Sequence, residues 1–143
     1  MGRRDTDRQI TSMAGEFLTV GKLSKRGYQV SVTMVNAKTV DLFVRNPGTD
    51  RIYNVQVKTQ RRRNNFPLKR ENVCHDHIYV FVRLNKFFDC EEFFVVPGKI
   101  LRADVNRFWG ASYRDPQKPS SRPGVNYGPL APFKDKWDVF DQQ

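Results

Sequence analysis

Three polar residues stand where strands should be apolar. Asp41 lies between Val40 and Leu42, and Gln56 and Lys58 bracket Val57. Side chains two apart on a strand share a face, so Gln56 and Lys58 project together, and Asp41 on a paired strand projects beside them. A carboxylate, an amide oxygen and an ammonium then meet on one patch. Burying such groups is costly unless they pair with one another or coordinate a metal. The plain structural alternative is an Asp41 to Lys58 ion pair beside a surface glutamine. A fourth candidate, Glu16, lies next to Phe17 on the preceding helix, and taken alone it reads as an ordinary exposed carboxylate.

The elements that must position these groups follow from periodicity. Ile10, Met13, Phe17, Val20 and Leu23 recur at spacings of three and four, which predicts an amphipathic helix over residues 8–26, capped by Asp5 or Thr6 and closed at Gly27. From Tyr28 to Met34 the period falls to two, giving a first strand. Residues 39–45 (TVDLFVR) form a second, ended by Asn46, Pro47 and Gly48, and residues 51–60 (RIYNVQVKTQ) a third with Ile52, Val55 and Val57 as apolar members. Short turns between them predict an antiparallel meander. Residues 77–84 (HIYVFVRL) suit a buried central strand, residues 92–96 the next, and residues 99–108 a helix. Residues 110–132 hold five of the eight prolines and read as an irregular excursion, after which Trp137 and Phe140 pack back onto the domain.

Length and charge bound the rest. A chain of 143 residues suits one domain, here taken as 1–143. No stretch approaches the roughly 18 consecutive apolar residues of a membrane span, and the start MGRRDTDRQI has no apolar export segment, so no membrane and a cytoplasmic location are expected. The net charge of +10 points to a polyanion. It concentrates at residues 45–70, where Arg45, Arg51, Lys58, Arg61, Arg62, Arg63, Lys69 and Arg70 face one acid, Asp50. Cys74 and Cys90 are read as reduced. The run Cys74, His75, Asp76, His77 fits no structural zinc spacing, and is read as a strand-entry turn with histidines facing solvent or phosphate. Tyr79, Phe81, Phe87, Phe88, Phe93 and Phe94 are read mostly as core rather than base-stacking platforms, whereas Trp109, Tyr113 and Tyr127 are freer to meet a groove or a second subunit.

The order of Glu in the first helix, Asp in the second strand and Gln-x-Lys in the third resembles the PD-(D/E)XK nuclease superfamily. The stretch GEFLTVGKLSKRGYQV, with VDLFV and VQVKT, is similar to its small single-domain endonucleases, which include group I intron-encoded homing enzymes. The resemblance runs from about Gly15 to Leu84, and departs from the family pattern at Val40, where Pro is usual, and at Gln56, where Asp or Glu is usual. It implies an α/β fold with a restriction-endonuclease-like core, in which a helix and a three-stranded antiparallel meander join further strands in a mixed sheet flanked by helices. It further implies a magnesium-dependent DNA endonuclease, homing or restriction-like, in which manganese can substitute. Asp41 would be the central ligand, joined by the Gln56 amide oxygen and the Val57 carbonyl, with Glu16 binding directly or through water. Lys58 would orient the attacking water, and Arg61, Arg62, Arg63, Lys69 and Arg70 would hold DNA. A homodimer or homotetramer is expected, since one small domain spans few base pairs and two strands need two sites. The alternatives are a catalytically inactive nucleic-acid-binding module of the same fold, a repair or junction nuclease, and a basic protein that binds RNA or another protein.

Overall fold

The computed structural model describes residues 2–34, 39–62, 65–85, 90–110 and 123–142. Its first element, α1 (Arg3–Lys25), starts ahead of Asp5 and Thr6, and its N-cap Gly2 gives no side-chain bond. The helix ends where expected. Gly27 takes φ 93°, a region open to glycine, and the N–H groups of Arg26 and Gly27 return to the carbonyls of Leu23 and Ser24 at 3.1 and 3.0 Å.

The buried side of α1 matches the expected row only at its C-terminal end, where Leu23 is buried and Val20 packs on the core. Ile10, Met13 and Phe17 are 54%, 59% and 56% exposed, while Gly15, Thr19 and Leu23 are buried. Those two sets lie on opposite sides of a helix. The reason is close approach: a Cβ on Gly15 would lie 1.8 Å from Thr59 Oγ1, so α1 seats on the sheet through its small residues and turns its bulky row outward.

The chain continues as β1 (Gln29–Val32), β2 (Leu42–Arg45), β3 (Ile52–Gln60), β5 (Ile78–Arg83) and β6 (Glu92–Pro97), which form one sheet in the order β1-β2-β3-β5-β6. The first three strands are the antiparallel meander that the turn signals predict, while β3 and β5 run parallel and β5 and β6 antiparallel. This is an α/β fold with a mixed five-stranded sheet. Within β3 the buried residues Tyr53, Val55 and Val57 alternate, and Ile52 falls on the other face at the strand's start, 61% exposed, not in the core.

A core packs each face of the sheet. Leu42, Val44, Val55, Val57, Val80 and Val82 meet Leu23 of α1, with Trp137 and Phe140 of a terminal 3-10 turn (Trp137–Asp141) closing that side. Tyr79, Phe81, Phe94 and Val96 meet two short helices on the other. These helices, α2 (Gly98–Ala103) and α3 (Val105–Trp109), replace the single helix expected over residues 99–108. Asp104 breaks it: its side chain accepts the Arg107 N–H at 3.1 Å and starts a new helix. The stretch expected to be irregular over residues 110–132 is also partly paired, since its β7 (Gly124–Val125) bonds to β4 (Phe66–Pro67) in a second, two-stranded sheet. Among the described residues no helix is long and apolar enough to cross a membrane.

Candidate functional site

Asp41 immediately precedes β2, yet its backbone is held on both sides. Its N–H donates to Val55 at 2.9 Å, and its carbonyl accepts from the Thr33 N–H at 3.0 Å. Its carboxylate replaces the next rung of the ladder: Val57 N–H donates to Oδ2 at 2.7 Å. The pairing of β2 with β3 therefore stops here, and beyond Val57, β3 is paired only with β5 among the described residues. The two strands fork at Asp41.

Leu42 pairs with Val55, Asp41 donates its N–H to that same Val55, and the next residue of β3, Gln56, pairs with Tyr79. Leu42, Val55 and Val57 point into the core beneath α1, and alternation along β3 turns Gln56 and Lys58 to the opposite face. The structure thus sets Gln56 and Lys58 on one face of β3, with the Asp41 carboxylate on the N–H of Val57 between them. Lys58 is half-buried and has no ion-pair partner among the described residues. The Asp41 to Lys58 ion pair that would make the patch purely structural is absent there.

Glu16 comes from the other face. Gly15 lies directly over Thr59, which places Glu16 beside the stretch of β3 that has lost its β2 partner. Glu16 is half-buried and engaged in a polar or electrostatic interaction. α1 packs on the face of the sheet opposite Gln56 and Lys58.

Gln56 is 8% exposed, and its amide nitrogen lies 3.0 Å from His77 Nδ1 and 3.1 Å from the Tyr79 hydroxyl. Burial lowers the His77 pKa from its ordinary 6.5, partly countered by Asp76, so at neutral pH the ring is uncharged. Burial pushes the Tyr79 hydroxyl up to about 12, so it keeps its proton. Sequence reasoning missed both residues as site neighbours, because it read His77 as facing solvent or phosphate and Tyr79 as plain core. The signal was their spacing: two apart on a strand, they share the face on which Gln56 sits.

The basic residues do not form one surface. Arg61 is tied to α1 through its Nε and Thr11 Oγ1 at 2.9 Å, and its carbonyl accepts from Arg83 at 2.8 Å. Arg62 and Lys69 are exposed, and Arg63 lies outside the described residues. Arg70 is half-buried and docks on α2, donating to the Arg102 carbonyl at 3.1 Å while Arg102 donates back to Val73 at 2.9 Å. Arg61 and Arg62 thus follow the end of β3, and Arg70 is tied to α2.

Trp109 and Tyr127 are not the free groove contacts expected of them. Trp109 is buried with its ring N–H on the Leu68 carbonyl at 2.7 Å, and Tyr127 donates to Glu92 at 2.8 Å and packs on Phe94. Long-range contacts, to Leu68 for one and to β6 for the other, take up both rings. Tyr79, Phe81, Phe93 and Phe94 are core, whereas Phe87, Phe88 and Tyr113 lie outside the described residues. Both cysteines are free thiols, and His75 pairs with Asp76 at the surface.

No family model matches this sequence, and no curated protein does. Among solved structures the chain is similar to a bacterial homing endonuclease, I-Ssp6803I, at 14% identity and a TM-score of 0.46, over 67% of this chain and 72% of that one.

Proposed function

We propose that the protein is a magnesium-dependent DNA endonuclease with a restriction-endonuclease-like core, hydrolysing phosphodiester bonds at the fork between β2 and β3. The observation that carries this reading is the bond from Val57 N–H to the Asp41 carboxylate, which marks where strand pairing gives way to side chains. In an extended strand the N–H and C=O of one residue point the same way, so the Val57 carbonyl also faces Asp41. Asp41, the Gln56 amide and that carbonyl make an oxygen-only donor set, which suits a hard cation completed by water. Manganese fits the same set.

When bound, magnesium supplies Lewis-acid activation of water and neutralisation of phosphate oxygens. The chain's own residues do the rest. Asp41 and Gln56 would hold the cation, joined by Glu16, directly or through water. Lys58, which has no ion-pair partner among the described residues, would direct its ammonium at the charge that develops on phosphate and orient the attacking water. Arg61 and Arg62 hold the DNA backbone beside the fork, with Arg63 and Lys69 adding to the positive field. Assembly as a homodimer or homotetramer would place two such sites on two strands, and the exposed row of Ile10, Met13 and Phe17 supports it as apolar surface that a second copy would cover. Light scattering on a column would then show a mass above 16.7 kDa, and charged substitutions at Met13 and Phe17 would return it to monomer.

A second reading has its own observation. No group of three His, Cys, Asp or Glu able to hold a metal occurs among the described residues, and Gln56 adds no charge. This favours a silent DNA-binding module of the same fold. Calorimetric titration separates the two: the endonuclease binds Mn²⁺ or Mg²⁺ and loses it in Asp41→Ala, whereas the silent module gives no metal heat in either protein.

A further inference from the structure

A glutamine ligand faces a problem that a carboxylate does not. A half-turn of its terminal amide exchanges the oxygen for an NH₂ group of nearly the same size, and the NH₂ repels a cation. Glutamate presents an oxygen either way. A metal site built on Gln56 therefore needs something that tells the two ends of the amide apart.

His77 and Tyr79 supply it. The Gln56 nitrogen has two hydrogens and two acceptors, His77 Nδ1 at 3.0 Å and Tyr79 Oη at 3.1 Å. Both acceptors belong to the β5 side of β3, and the amide is planar, so the oxygen is turned away from them toward the fork. That oxygen makes no hydrogen bond with the described residues and is not among the buried atoms without partners, so it reaches solvent. The acceptors are themselves fixed. Tyr79 Oη accepts the Cys74 N–H at 2.8 Å, His77 N–H bonds to Cys74 at 3.2 Å, and Gly98 N–H bonds to the His77 carbonyl at 2.7 Å. Gly98 permits that clamp, since a Cβ there would lie 2.0 Å from the Cys74 carbonyl oxygen.

We infer that His77 and Tyr79 are positioning residues that hold the Gln56 carboxamide by its nitrogen and so present its oxygen to the cation. This rests on the metal reading above and assigns a role to the Cys74 to His77 turn. Partners behind a metal ligand, when removed, commonly cost 10- to 100-fold in metal affinity. The cost here should depend on the ligand being an amide.

The experiment has two arms. In the metal-free protein, ¹⁵N NMR of His77 should show the tautomer protonated at Nε2, with Nδ1 accepting the amide; a ring protonated at Nδ1 would mean the amide is reversed and overturns the inference. In the second arm, Mn²⁺ affinity is measured for His77→Ala and Tyr79→Phe in the native background and in Gln56→Glu. Each substitution should weaken Mn²⁺ about tenfold with Gln56 and less than about twofold with glutamate. Equal losses in both backgrounds would show a merely structural role and overturn the inference while leaving the metal site standing. No Mn²⁺ binding by the native protein would remove the metal reading itself, and this inference with it.

Discussion

Replacing Gly15 and Gly21 by alanine, on the same helix, should change stability in opposite directions. Alanine is favoured over glycine in a helix interior by about 1 kcal/mol. At Gly21 nothing lies within 4 Å of the added Cβ, so that gain appears in full. At Gly15 the Cβ would lie 1.8 Å from Thr59 Oγ1 and 2.8 Å from Thr59 Cβ and Cγ2. Rotating Thr59 moves Oγ1 and leaves its Cβ in place, so α1 must lift by roughly 1 Å to reach ordinary carbon contact of about 3.5–4.0 Å. Such overpacking costs about 1–3 kcal/mol, so the net effect at Gly15 is a loss of about 1 kcal/mol, and the two variants should differ by roughly 2 kcal/mol. Urea denaturation with both variants at constant slope measures this. Adding Thr59→Ala to Gly15→Ala should recover part of the loss. A Gly15→Ala protein as stable as Gly21→Ala would refute the seating of α1 on β3, and with it the route that brings Glu16 to the fork.

Three further outcomes follow from the geometry. Asp41→Ala leaves the Val57 N–H without its acceptor and should cost about 1–3 kcal/mol in urea denaturation, while Asp41→Asn keeps an oxygen there and should cost less, although both lose metal binding in calorimetry. The Tyr79 hydroxyl, raised from 10.0 to about 12 by burial, keeps its proton longer folded than unfolded. Its stabilising effect is therefore full below pH 10 and lost as pH rises toward 12, amounting to at most about 2.7 kcal/mol. Tyr28, raised to about 12 by burial and its bond to Asp141, acts in the same direction with a smaller effect because it is partly exposed. Stability measured at pH 9 and 11.5 should fall between the two, and less steeply in Tyr79→Phe. Trp137→Ala should cost about 3–5 kcal/mol in the same assay, since the indole is buried against Phe93 and fills the core beneath α1.

The meander was legible because its signals are local. Period-two alternation and the Asn46-Pro47-Gly48 turn depend on neighbours in the chain, and so does the closure of α1 at Gly27. The shared face of Gln56 and Lys58 was legible for the same reason, as alternation needs only strand identity. Features set by long-range packing were hidden. The buried side of α1 was misread because bulk suggested the contact face, while close approach to Thr59 selected glycine. The break at Asp104 was hidden because a single capping bond outweighed a continuous helical pattern. His77 escaped notice because its partner Gln56 is 21 residues away and meets it only through parallel pairing of β3 with β5. The pairing of β4 with β7 joins segments nearly sixty residues apart, which no local pattern announces.

The central claim is that the fork at Asp41 cuts DNA, and relaxation of supercoiled plasmid tests it most directly. With magnesium, the native protein should convert supercoiled to nicked or linear DNA. Asp41→Asn and Lys58→Ala should fold, bind DNA and lose at least about a hundredfold in rate, the scale set by removing one preorganised electrostatic group. A native protein that binds plasmid yet leaves it supercoiled in both magnesium and manganese, or a Lys58→Ala variant that cuts as fast as native, would contradict the account.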